Sequence, residues 1–308
     1  MRTRSKTLLL GLGIACVSVF GHAALTVSPP GTEMRPRLGD DELNIDNVFH
    51  SHLPTTLEEG GLRISLNPRL GDWQKRDHMR VVTGLRYGMT DRTELSLRAV
   101  PYFSHGQGAV PSFDRHGLAS LRVGAKVNLG ESIFPGCETA AGFDYEFPTG
   151  HPPAELTDGL RHFRPYLTFS RRFKARPNLR IFAGVRLDLV EHTTVPGQFA
   201  KNALRDSSVG VTGGWVLDRD RWHYTLEVAY DTTRVIGRGS EDVVTIRPGV
   251  IWEVPRRGNP LGRSIWMMGL ALNSSFGPGG SSLGASFKVR FNSDLGKFRR
   301  VPSAPVEL

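Results

Sequence analysis

Between residues 84 and 103 the chain reads GLRYGMTDRTELSLRAVPYF, and charged and apolar residues alternate almost without a break. Glu94, Ser96 and Arg98 interleave with Leu95, Leu97 and Ala99. Successive side chains of a strand point to opposite faces, so a period of two makes a strand with two unlike faces. The same unit recurs along most of the chain: ten to fourteen alternating residues, then a turn. We expect about 12 strands, near 61–69, 78–88, 93–103, 117–129, 137–147, 162–173, 178–190, 207–217, 221–231, 242–254, 264–274 and 281–291. An even number of this size fits a bacterial transmembrane barrel.

The two faces differ in kind. One carries Leu62, Ile64, Leu66, Leu85, Leu97, Val123, Val185, Leu187, Val211, Leu226 and Val289, with aromatics near strand ends at Tyr87, Phe103, Phe147, Phe173, Trp215, Trp222, Tyr230, Trp252 and Phe291. Strand-end rings on an apolar face read as interfacial girdles. Arg171 is the clear charge on that face, and it lies beside a short turn, where a long side chain snorkels. The opposite face is rich in Arg, Lys, Asp and Glu. Its basic residues exceed its acidic ones, 14 against 8. The eleventh segment is apolar on both faces, and its orientation does not follow from its pattern. Together these features predict an all-β chain, a transmembrane antiparallel up-and-down β-barrel over residues 56–291, with lipid outside and a charged, wet lumen.

Connections also sort by length. MTDR at 89–92, KARPN at 174–178 and LDRDR at 217–221 are short, whereas 104–117, 148–159 and 191–206 are long. Short periplasmic turns and long outer loops are the rule in such barrels. Pro101, Pro165 and Pro248 fall inside expected strands. A closed barrel has no edge to host them, so either bulges or different strand bounds are expected there.

The ends of the chain read differently. Arg2, Arg4 and Lys6, the apolar run at 8–20, and Gly21, His22 and Ala23 form a secretory signal over 1–23, too short to span a bilayer. Residues 24–55 are polar and aperiodic, an irregular segment long enough to enter the lumen as a plug. Residues 292–308 form a polar tail. The net charge of +9 includes three from the signal, so the mature chain carries 9 − 3 = +6. Without a dense Lys/Arg block, and with export, nucleic acid is not an expected partner. Only Cys137 survives signal removal, so no internal disulfide forms.

Three stretches, GLRYGMTDRTELSLRAVPYF, GLASLRVGAKVNL and FDYEFPTG, resemble the bacterial meta-pathway phenol degradation family. The likeness runs from about residue 60 to Phe291. It implies an outer-membrane barrel acting as a transporter or channel, with uptake of aromatic compounds suggested by the family's label. GASFKVRF, 284–291, resembles the terminal signal read by barrel-assembly machinery, although 17 residues follow it.

No catalytic or metal motif stands out, and no cofactor or chemistry is expected. Ser104 and His105 are strand neighbours on opposite faces and cannot pair there. His50 and His52 lack a third metal ligand. An outer-membrane lipid-modifying enzyme and a sealed structural or adhesive barrel are the alternatives to a channel. The expected partners are outer-membrane lipid, a small solute and the assembly machinery. The expected solute-contacting residues are the inward Arg86, Arg98, Arg122, Arg164, Arg186 and Arg247. Their basic surplus favours anions, while ion pairing across the wall accounts for many of them individually.

Overall fold

A computed structural model describes residues 48–68, 78–104, 116–149, 160–191, 205–235, 239–254, 265–278 and 280–294. The expected signal at 1–23, residues 24–47, Arg69, His105 and the expected tail beyond 294 lie outside the described residues. The described chain forms twelve strands: β1 Gly61–Pro68, β2 His78–Thr90, β3 Thr93–Ser104, β4 His116–Phe134, β5 Cys137–Pro148, β6 Arg161–Phe173, β7 Arg176–Glu191, β8 Arg205–Arg219, β9 Trp222–Val235, β10 Gly239–Glu253, β11 Ile265–Gly277 and β12 Gly280–Asp294. Each pairs antiparallel with its sequence neighbours, and β1 pairs with β12 to close the barrel. This is the transmembrane up-and-down barrel that the alternation predicts. The strands of the barrel run from Gly61 to Asp294.

The register assigns the faces. Leu62, Tyr87 and Leu95 stand level across β1, β2 and β3, as do Ile64, Leu85, Leu97 and Val123 across β1 to β4. These side chains are on the outside, where Leu97 is 41% exposed and Leu95 43%. Leu187, Val211, Tyr224, Ile246 and Leu270 continue the exposed apolar belt around the wall. Soluble monomers do not expose continuous apolar surface on this scale, and a bilayer covers it. Trp222 stacks on Trp252 at 5.9 Å and Trp266 meets Phe291 edge-on at 5.4 Å, grouping aromatics at one end of this belt. Arg171 faces outward opposite Ile181 and lies 5.9 Å over the Phe173 ring, beside the turn at 174–175.

Two-residue turns at 91–92, 135–136, 174–175 and 220–221 close the end at which β1 begins. The left-handed backbone there falls to Gly136 and to Asp220, at φ 54°, a conformation Asp tolerates better than most. Longer connections, 69–77, 105–115, 149–160 and 192–204, close the other end. This sorting does not hold to the last strand. The far-end connections 236–238 and 278–279 are short, and the Pro- and Gly-containing 254–264 is long at the near end.

The prolines meet the bulge expectation only in part. Only Pro101 sits at a bulge, between Ala99 and Pro101 where β3 meets β4. At Pro165 pairing with β7 lapses between Phe163 and Tyr166, and at Pro248 pairing with β11 lapses between Ile246 and Gly249, with no change of register. A missing N–H donor removes one ladder bond on one side, and a wall held on both sides tolerates that without an extra residue.

Candidate functional site

The segment 48–60, VFHSHLPTTLEEG, has neither helical nor strand periodicity. A chain without a ladder must satisfy its backbone groups on something else. Here the inward charges of the wall do so. Glu227 on β9 accepts the amides of His50 and Ser51 at 3.1 and 3.2 Å. The carbonyl of Val48 accepts from Lys288 at 3.1 Å and Arg290 at 2.5 Å, both on β12. Thr168 on β6 donates to the His52 carbonyl at 2.7 Å. Lys126 on β4 donates to the carbonyls of Thr55 at 2.6 Å and Leu53 at 3.3 Å. Glu94 on β3 accepts the Leu57 amide at 3.2 Å. The segment then leaves at the near end, where Thr56 donates to the Asp91 carbonyl and Gly60 to that of Gly88. It therefore crosses the barrel interior from β9, β10 and β12 to β2 and β3.

Its side chains pack as well. Val48, Phe49, Leu53 and Leu57 are buried. Phe49 lies against two inward glycines: a Cβ on Gly249 would come within 2.5 Å of its ring, and one on Gly269 within 3.2 Å. His52 stacks on Tyr166 at 4.2 Å, 7° from parallel, with Nε2 3.7 Å from Asp144. Burial pushes the imidazole down to about 4, outweighing the hydrogen bond and attraction of Asp144, with Arg86 and Arg98 adding to the depression. Tyr166 in turn covers Gly142, where a Cβ would meet its ring at 2.5 Å.

All six arginines expected in the lumen project inward. Five are paired. Arg86 meets Glu94 at 3.1 Å, Arg186 meets Asp231 at 2.6 Å and Arg247 meets Glu227 at 2.7 Å. Arg122 and Arg164 share Glu146, Arg122 lies 3.8 Å from Asp144, and Arg164 continues to Asp188 at 2.8 Å. His162 adds a second contact to Asp188, at 2.8 Å. Arg98 stands across from Arg122 and is in no ion pair among the described residues. Most of these arginines are therefore braces of the wall. The groups that hold the segment are Lys126, Lys288, Arg290, Glu94 and Glu227. The sequence marks them as inward charges, but nothing in an alternating strand distinguishes a charge that braces from one that grips.

Charge is unevenly spread around the wall. The arc β12 to β4 presents Lys288, Arg290, Arg63, Arg80, Arg86, Arg98, Arg122 and Lys126 against Glu94 alone among the described inward residues. From β5 to β10, Asp144, Glu146, Asp188, Glu227 and Asp231 face in together with Arg164, Arg180, Arg186 and Arg247. The basic surplus thus belongs to one side of the lumen. Among the described residues no three His, Cys, Asp or Glu side chains gather in a metal-binding group, and Cys137 is a buried free thiol.

No protein-family model and no curated protein matches the sequence, so the meta-pathway resemblance gains nothing from those comparisons. Solved structures do match in fold. The COG4313 outer membrane channel from Pseudomonas putida F1 aligns with a TM-score of 0.51 at 10% identity, over 77% of this chain and 96% of that one. The KdgM porin in complex with disordered oligogalacturonate aligns at 0.44 and 9% identity, over 75% and 97%. At such identities the likeness concerns the barrel fold.

Proposed function

We propose that the chain is a channel of the bacterial outer membrane through which small organic anions diffuse, with residues 48–60 as its internal plug. One observation carries this reading: a non-strand segment inside an otherwise closed wall is seated on ionisable side chains. A barrel built only to anchor or adhere has no need of buried charges that hold a separate piece of chain inside it. The basic arc from β12 to β4 favours anions, as rings of Arg and Lys do in anion pores. The fold-mate from Pseudomonas putida F1 is described as an outer membrane channel, and the reading extends that role to this chain. The resemblance to the meta-pathway phenol degradation family adds aromatic compounds to the expected cargo. Passage needs no bond chemistry, and the proposal assigns none.

Planar-bilayer recording tests it, using refolded mature protein and a version lacking residues 24–55. The expected result is larger conductance steps after the deletion, with anion preference reduced by Arg98→Ala. Absence of steps from both versions, with heat-modifiable gel mobility proving that both barrels closed, would refute the channel and leave a sealed barrel.

A further inference from the structure

We infer that the niche holding Val48 and Phe49 is a binding site for a small carboxylate with a flat apolar body, occupied at rest by the chain itself. The inference deepens the channel reading and rests on it. Two features of the niche point to such a ligand. Lys288 and Arg290 converge on one neutral carbonyl oxygen, that of Val48, at 3.1 and 2.5 Å. A carboxylate oxygen in the same place would accept the same two bonds and bring an opposite charge to a buried pair of basic groups, where attraction is weakly screened. Beside these cations, Gly249 and Gly269 on adjacent strands leave a slot that the Phe49 ring fills, flanked by Ile251 and Met267. Around the Phe49 ring lie Ile251, Met267, Gly269, Lys288 and Arg290. The Val48 acyl oxygen on two basic groups and the Phe49 ring against two glycines, joined through Phe49 N, Cα and Cβ, together make the outline of a carboxylate with a three-atom chain to an aromatic ring.

Occupation by the chain makes binding competitive. The apparent dissociation constant is the intrinsic one divided by the fraction of molecules whose segment has left. Weakening the internal occupant therefore tightens the external one, and ligand in turn releases the segment. Arrival of the solute would open its own path.

The test uses the full mature chain in detergent, with 4-phenylbutanoate as probe and 4-phenylbutanamide and butanoate as controls. Binding is read by calorimetry, and seating of the segment by hydrogen exchange of the peptide covering 48–57. The probe should bind and speed that exchange, while the amide, without the charge, and butanoate, without the ring, should do neither. Phe49→Ala should tighten 4-phenylbutanoate about tenfold or more, because it removes most of the competing packing. Gly249→Ala should speed exchange yet abolish binding of the probe, because the new Cβ takes the ring's space. Heat-modifiable mobility checks that each variant is closed, and Phe49→Ala, which removes atoms only, carries the test if Gly249→Ala fails to close. Equal binding of 4-phenylbutanoate and its amide, or Phe49→Ala binding no tighter than the parent, would overturn the site. Binding of the probe without conductance would keep the site and remove the channel. Conductance that 4-phenylbutanoate and Phe49→Ala leave unchanged would keep the channel and remove the site.

Discussion

Glu227 is the point where the internal segment and the wall depend most directly on one side chain. Its carboxylate is fully buried, one oxygen accepting two segment amides and the other the Arg247 guanidinium at 2.7 Å. Glu227→Ala leaves two amide donors without an acceptor, at about 1–3 kcal/mol each. It also strands Arg247, whose side chain is 12% exposed, and breaking a buried pair from one side costs about 3–5 kcal/mol. The two losses fall on different observables. The amide share lowers the free energy of lifting the segment out, so exchange of residues 48–57 should accelerate by about 30-fold or more, equivalent to ~2 kcal/mol. The Arg247 share lowers the stability of the whole barrel, read as the temperature at which heat-modifiable mobility is lost. Adding Arg247→Ala to Glu227→Ala should restore part of that temperature without restoring protection of the segment. Asp231→Ala is the control, since its pair with Arg186 is half-exposed and shares no partner with the segment. Segment exchange that is unchanged in Glu227→Ala, or raised equally in Asp231→Ala, would refute the idea that wall charges seat the segment.

Lys126→Met should release the middle of the segment, because one buried ammonium holds the carbonyls of both Leu53 and Thr55; exchange localised to 53–57 should rise by about tenfold, the worth of one to two lost hydrogen bonds. Leu97→Arg places a charge on the lipid face, level with Leu85 and Val123, and should cost about 2–4 kcal/mol in reversible folding into liposomes, whereas Ser96→Arg, facing inward, should not show that bilayer term. Seating should also weaken with acid. The His52 imidazole is held near 4 in the folded chain and is near 6.5 once released, so the released state binds more protons between those values. Protection of the segment should therefore fall as pH drops from about 6.5 toward 4, and His52→Gln should flatten that slope in the same exchange experiment.

The barrel was legible because lipid and water impose unlike demands on alternate residues. Each strand start and end is anticipated to within a few residues except on β4, which continues to Phe134 through a stretch containing Gly130 and a register shift. Alternation carries no information about where a strand stops once it leaves the bilayer, so that extension has no signal. The six inward arginines were legible in orientation, since orientation follows from parity alone. Their partners were not, because ion pairs such as Arg164 with Glu146 and Asp188 join residues on different strands, and the pairing depends on register. The segment was legible only as a region without period. Nothing in VFHSHLPTTLEEG announces that Glu227, 176 positions after Ser51, will take its amides.

The one strand whose orientation the sequence left open explains itself in the folded chain. β11 is apolar on both faces because it has two apolar neighbours. Met268, Leu270 and Leu272 face outward and are among the exposed apolar residues, whereas Met267, Gly269 and Ala271 face inward and are buried. Ile251, buried on the inward face of β10, belongs to the same interior patch. An empty, water-filled lumen would favour polar residues at all of these positions. Apolar ones are stable there because the Phe49 ring packs beside Gly269, Ile251 and Met267, which would meet water whenever the segment left. The loss of alternation on β11 is thus the imprint of the segment on the wall. An apolar guest replacing Phe49 would keep this patch dry, whereas a small hydrophilic ion would not. On the channel reading proposed above, the inner face of β11 favours a cargo with an apolar body.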